Sequence, residues 1–87
     1  MERKVLVDEI IDLFLELGVL KDLTNLEQTK NNMEKQIENA EFVELIYNVI
    51  FIRAKEQRML DIKRIIDILQ ELNRIRIKLE SEQFITA

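Results

Sequence analysis

The carboxylates of this chain are the side chains whose spacing comes closest to a chemical site. Two sets recur at intervals of three or four residues, so each set would share one face of a helix. Helical carboxylates can hold divalent metals, but a di-iron bundle uses Glu-x-x-His motifs and the chain has no His. We therefore interpret both sets as solvated helix faces and expect no metal or other cofactor. The sets are Glu38, Glu41 and Glu44, and Asp8, Asp12 and Glu16.

Several residue types that carry chemistry are absent. The 87 residues include no Cys, His, Pro or Trp and a single Gly, which excludes a zinc–thiolate site, an imidazole base and a Gly-rich phosphate loop. Ser81 is the only serine and has no histidine base to activate it. Tyr47, the only tyrosine, lies in an apolar run and is interpreted as a core ring with its hydroxyl at the rim. We predict that the protein is not an enzyme.

Charge is divided unevenly along the chain. Residues 1–52 carry a net charge of −6 and residues 53–87 a net charge of +2. The basic residues near the junction of the last two helices could contact phosphates, although a net charge of −4 and a pI near 4.9 argue against nucleic-acid binding. An attraction between the acidic first helix and the basic last region of a dimer is the other interpretation. The junction residues are Arg53, Lys55, Arg58, Lys63 and Arg64.

Periodic apolar residues predict a first helix over about 4–17. Gly18 follows this run directly and can end the helix in the left-handed conformation. Thr24 and Glu27 have the spacing of a capping box, in which each side chain accepts a hydrogen bond from the other residue's backbone N–H. We therefore expect the second helix to begin at about residue 25.

No glycine or proline interrupts the chain after that point. One helix over 25–58 is predicted, with a break near 39–41 left open, and a last helix over 60–81. Short connections favour an antiparallel arrangement, so we predict that 1–87 is a single all-α domain: a helical hairpin with a shorter amino-terminal helix, or three-helix bundle. The apolar stripe of the last helix comprises Ile62, Ile65, Ile66, Leu69, Leu72, Ile75 and Leu79.

The chain carries more apolar side chain than a three-helix monomer can easily cover. Phe42–Ile52 is apolar on nearly every side, and Ile52, Ile68 and Ile77 lie off the main seams. Because a contiguous exposed apolar patch usually marks an interface, we predict a homodimer or a complex with another helical protein. The same residues also fit an ordinary intramolecular core. The predicted interface is Tyr47, Ile50, Phe51, Ala54, Leu69 and Leu72.

These features favour a small non-catalytic interaction protein, such as a regulator, inhibitor or adaptor, that presents apolar helix faces to another chain. A nucleic-acid-associated helical dimer is the alternative, and a carboxylate–metal enzyme is a third hypothesis. The most apolar stretch is about half of the roughly 20 residues needed to cross a bilayer, so no membrane role is expected. The lack of cysteine and of an export-type amino terminus favours a cytoplasmic location.

Overall fold

A computed structural model describes residues 2–21, 24–57 and 61–86, and the side chains of 2–21, 24–57 and 61–82. These residues form helices and no strands, so the predicted all-α class is confirmed. Four helices replace the three that we expected, because the predicted helix over 25–58 is divided in two. The helices are α1 (Arg3–Glu16), α2 (Leu26–Gln36), α3 (Ala40–Gln57) and α4 (Ile62–Thr86).

The end of α1 follows the prediction made from Gly18. Gly18 adopts a left-handed φ of 72°, a conformation that an L side chain resists. Its backbone N–H donates to the Leu15 carbonyl at 3.3 Å, and the Val19 N–H donates to the Phe14 carbonyl at 2.9 Å. This pair of bonds is a Schellman motif, which satisfies two carbonyls of the last helical turn.

The start of α2 differs from the predicted capping box. Asn25, not Thr24, is the residue before the helix, and it has a left-handed φ of 61° with no side-chain cap. Thr24 lies one residue earlier, in a turn. The residue before the helix is therefore shifted by one from the expected Thr24, and the helix begins within a residue of the expected point.

The break between α2 and α3 lies at residues 37–39, beside the position that the sequence left open. Asn39 accepts a hydrogen bond from the Glu41 backbone N–H through its Oδ1, at 2.9 Å. Asparagine is among the best residues for this amino-terminal cap. The Ile37 side chain is 0% exposed, which anchors the turn in the core, so the chain changes direction without glycine or proline.

Helices α3 and α4 pack side by side as the predicted antiparallel hairpin. Ala54 and Ile62 line one part of the space between the helices, and Tyr47 and Asn73 line another, so the two helices run in opposite directions. The Asp61 carboxylate accepts a hydrogen bond from the Arg64 N–H at 3.2 Å and begins α4. Leu60, the predicted start, lies outside the described residues, and α4 continues past the predicted end at residue 81.

Helix α1 packs against α2 on one side and against α4 on another. Its carboxyl end is held to the hairpin by two polar contacts. The Arg64 guanidinium donates to the Glu16 carboxylate at 2.8 Å, and the Gln57 side-chain amide donates to the Leu17 carbonyl at 2.8 Å. The Gln57 contact satisfies a carbonyl that the end of α1 leaves without a helical partner. The amino-terminal half of α1 is joined to α2 by Lys30 and Asp8, at 3.1 Å.

The core of α4 is made by a different set of isoleucines from the predicted stripe. Ile68, which the sequence placed off the stripe, is 0% exposed, whereas Ile62 and Ile66 are 61% and 44% exposed. Residues 66 and 68 point about 200° apart around a helix axis, so one face cannot bury both. Among the described side chains of α4, those of residues 62–82, the buried ones are Ile65, Ile68, Leu69, Leu72 and Ile75.

Candidate protein-interaction surface

An open apolar groove runs between α3 and α4. The part between Phe51 and Leu69 has a volume of about 330 Å³, and the groove continues past Leu69 towards Tyr47. The groove exists because the two helices touch through their buried faces and diverge at their outer edges. We call it the hairpin groove, and it is lined by Tyr47, Phe51 and Ala54 of α3 and by Ile62, Ile66 and Leu69 of α4.

Three large side chains of the hairpin groove remain open to solvent. Phe51 is 50% exposed, Ile62 is 61% exposed and Ile66 is 44% exposed. Single exposed apolar residues are common on protein surfaces, whereas adjoining ones that form a concave strip are typical of binding sites. Ile77, which is 55% exposed, extends the strip along α4, because it lies eleven residues, or three turns, after Ile66.

The structure divides the six residues of the predicted interface into two groups. Tyr47, Phe51, Ala54 and Leu69 line the hairpin groove. Ile50 and Leu72 are 0% exposed and belong to the core of the chain itself, which is the alternative that the sequence left open. Neighbouring residues of a helix point about 100° apart, so Ile50 faces the core and Phe51 faces the groove.

Aromatic and cationic groups order one end of the hairpin groove. The rings of Tyr47 and Phe51 are nearly parallel, with centroids 6.4 Å apart. The Arg76 guanidinium of α4 lies 6.0 Å from the centroid of the Tyr47 ring and donates to the Asn73 side-chain carbonyl at 2.6 Å. These contacts fix the Tyr47 ring between the two helices, so this end of the groove is preformed.

A second exposed apolar pair lies on the far side of α3. Leu45 is 57% exposed and Ile52 is 53% exposed. They are seven residues apart and share one face, about 200° around the helix from the buried Ile50. Phe42–Ile52 is therefore only partly covered by the chain itself, as its apolar composition predicted.

The basic residues proposed for nucleic-acid contact do not form one free surface. Arg53, Lys55 and Lys63 are exposed, and Lys55 lies at the edge of the hairpin groove. Arg64 is half-buried and bound to Glu16, whose hydrogen bond raises the pKa of Arg64 above its ordinary value. Arg58 lies outside the described residues. Because Arg64 already has an acidic partner within the chain, it offers little charge to a phosphate.

Members of both carboxylate sets considered as metal ligands form ion pairs with basic side chains. Glu38 pairs with Arg3 at 3.8 Å, and Asp8 and Glu16 pair with the basic partners described above. In the part of the chain that the structure describes, no three acidic side chains come close enough to hold a metal ion. Carboxylates from these sets act instead as contacts between α1 and its neighbours.

A second hollow lies between the amino end of α1 and the later turns of α4. Charges of both signs line it, and Arg74 is paired there with Glu71. The hydrogen bond from Arg74 holds the pKa of Glu71 below its ordinary value. Compensated charges of this kind offer no net field to an ionic ligand.

Comparisons of the chain with protein-family models, with curated proteins and with solved structures gave no significant match. Among the described residues, none of the helices combines the length and the apolar character required to cross a lipid bilayer.

Proposed function

We propose that this chain is a small non-catalytic interaction protein whose binding surface is the hairpin groove. A regulator, inhibitor or adaptor that acts by contact alone fits this description. The observation that carries the proposal is the exposure of Phe51, Ile62 and Ile66 side by side along one groove.

The free energy available at the hairpin groove supports this role. Burial of apolar surface contributes about 25 cal/mol per Å², and full burial of one large apolar side chain contributes about 1.5–3 kcal/mol. Phe51, Ile62 and Ile66 each keep about half of their surface in water, so covering all three supplies on the order of 2–4 kcal/mol. A partner that also paired with charged groups around the groove would gain orientation more than affinity.

Site-specific photocrosslinking tests the proposal in the cells that naturally produce the chain. Ile62, the most exposed residue of the hairpin groove, is replaced with benzoylphenylalanine, and Asn32 on the exposed face of α2 serves as the matched control. We expect irradiation to give a discrete protein adduct, with this chain or with another, from position 62 and not from position 32. A folded variant that gives no adduct from position 62 would overturn the proposal.

A further inference from the structure

We infer that the hairpin groove is covered by a second copy of this chain, turned by a two-fold axis perpendicular to α3 so that the two α3 helices run antiparallel. This inference rests on the proposed function and adds the identity and register of the partner. The distribution of charge at the two ends of the groove carries it.

The exposed face of α3 has an apolar centre and ends of opposite charge. Glu44, Tyr47, Phe51 and Lys55 follow at intervals of three, four and four, which places them on one face of the helix. Both charged residues are exposed, and Lys55 touches the groove. The aromatic pair therefore lies between an acidic end and a basic end.

Helix α4 repeats this arrangement in the same orientation in space. Lys63 precedes Ile66 by one turn and Glu80 follows Ile77 by one turn, and both charged residues are exposed. Because the hairpin is antiparallel, Lys63 lies at the same end as Lys55, and Glu80 lies towards the same end as Glu44. Lys55 and Lys63 therefore lie at one end of the groove face and Glu44 and Glu80 towards the other, where Arg76 is half-buried against Tyr47 and bound to Asn73.

These four charges remain uncompensated within the described residues. The ion pairs there join other groups and include none of these four. A second copy rotated by 180° brings the basic end of one groove face against the acidic end of the other. Residue i of one α3 helix then lies opposite residue 99−i of the other. Lys55 of each copy therefore faces Glu44 of the other copy, which gives two such pairs in each dimer. Parallel copies would place like charges together, which is unfavourable.

The size of the face is consistent with a weak dimer. Helix α3 has 18 residues and is therefore about 27 Å long, and two adjacent helices present a strip roughly 20 Å wide. Each copy then offers about 500 Å², and the dimer buries about 1,000 Å² in total, at the lower limit for a specific interface. We expect association that depends visibly on concentration.

Sedimentation velocity over a concentration series tests the partner and the register together. We expect wild-type chain to shift from monomer to dimer as concentration rises. Lys55→Glu replaces two attractive pairs with two repulsive ones and should weaken association about 10- to 100-fold. Arg53→Glu makes the same change in net charge about 200° around the same helix and should have much less effect. Circular dichroism confirms that each variant keeps its helical content.

Charge exchange between two chains provides the decisive measurement. Glu44→Lys alone should also weaken self-association, whereas a mixture of the Lys55→Glu and Glu44→Lys chains should form a heterodimer at least as tight as the wild-type dimer. Dimers that are insensitive to both variants would overturn the register. A chain that stays monomeric at every concentration would overturn the second copy as partner. If the chain is monomeric, a photocrosslink from position 62 to a different protein would still support the proposed function. No photocrosslink from position 62 would refute both the second copy as partner and the proposed function.

Discussion

Two isoleucines that are two residues apart on α4 should lose very different amounts of stability on truncation. Ile68 is 0% exposed in the core, and Ile66 is 44% exposed in the hairpin groove. Replacing a fully buried isoleucine with alanine costs about 2–5 kcal/mol, because transfer free energy is lost and a cavity is left. We expect Ile68→Ala to lower the free energy of unfolding by that amount.

Ile66→Ala should cost much less. Full burial of an isoleucine is worth about 1.5–3 kcal/mol, and a side chain that is 44% exposed has gained only a little over half of that. Alanine retains part of the gain, and the space it leaves opens to solvent and forms no cavity. The expected cost is therefore about 1 kcal/mol or less.

Urea denaturation followed by circular dichroism measures both variants at the lowest concentration that gives a usable signal, where self-association contributes least. In a domain of this size, 1 kcal/mol corresponds to about 4–8 °C in Tm, so thermal unfolding should separate the two variants as well. Equal losses in the two variants, or a larger loss in Ile66→Ala, would refute the assignment of Ile68 to the core and Ile66 to the groove.

Substitutions at three further residues test the end of α1, the start of α3 and the pH dependence of stability. Gly18→Ala should lower the free energy of unfolding by about 1–2 kcal/mol. The loss comes from backbone strain alone, because an added Cβ meets no atom within 4 Å. Gly18→Asn should cost less, and equal Tm values for the Gly18→Ala variant and the wild type would contradict this reasoning. Asn39→Ala should cost about 1 kcal/mol by removing the α3 cap, and an unchanged urea midpoint would count against the cap. The hydrogen bond from Arg74 lowers the pKa of Glu71, so ionised Glu71 stabilises the fold at pH values above its ordinary pKa of 4.5. This stabilisation is lost as the pH falls through the lower pKa of the folded state. Glu71→Gln should therefore flatten the pH dependence of the free energy of unfolding in that acidic range, and identical slopes for the two proteins would exclude the effect.

The features that could be predicted from the sequence are those that depend on local residues. Helical periodicity located α1 and α4 and placed α2 and α3 within one predicted helix, and the single glycine marked the end of α1, because its left-handed conformation is a local property. The break at residues 37–39 depends on burial of Ile37 as well as on the Asn39 cap. Asparagine also occurs inside helices, so Asn39 alone could not fix the break.

The hairpin groove could be predicted only in part, because its exposure depends on where α1 packs. Leu69 is buried at the edge of the α4 core and also lines the groove. Its spacing of three residues from Ile66 made Ile66 part of the predicted core stripe, whereas Ile66 faces the groove. Arg64 looked like free positive charge because its partner, Glu16, lies 48 residues away. The sequence therefore identified the apolar surplus and four residues of the groove, but it placed the exposed Ile62 and Ile66 on the core stripe of α4.

The position of α2 explains why a chain with four helices still leaves an open groove. A two-helix hairpin has two faces, and α1 packs against it while α2 packs against α1. Met33 is the only buried residue between Leu26 and Gln36, so α2 has too little apolar surface to cover a groove lined by Phe51 and Ile66. Its charged residues serve α1 instead, as in the pair of Lys30 and Asp8. Helix α2 therefore completes the core around α1 and leaves the hairpin groove open among the described residues, which is the basis for proposing a second copy as its cover.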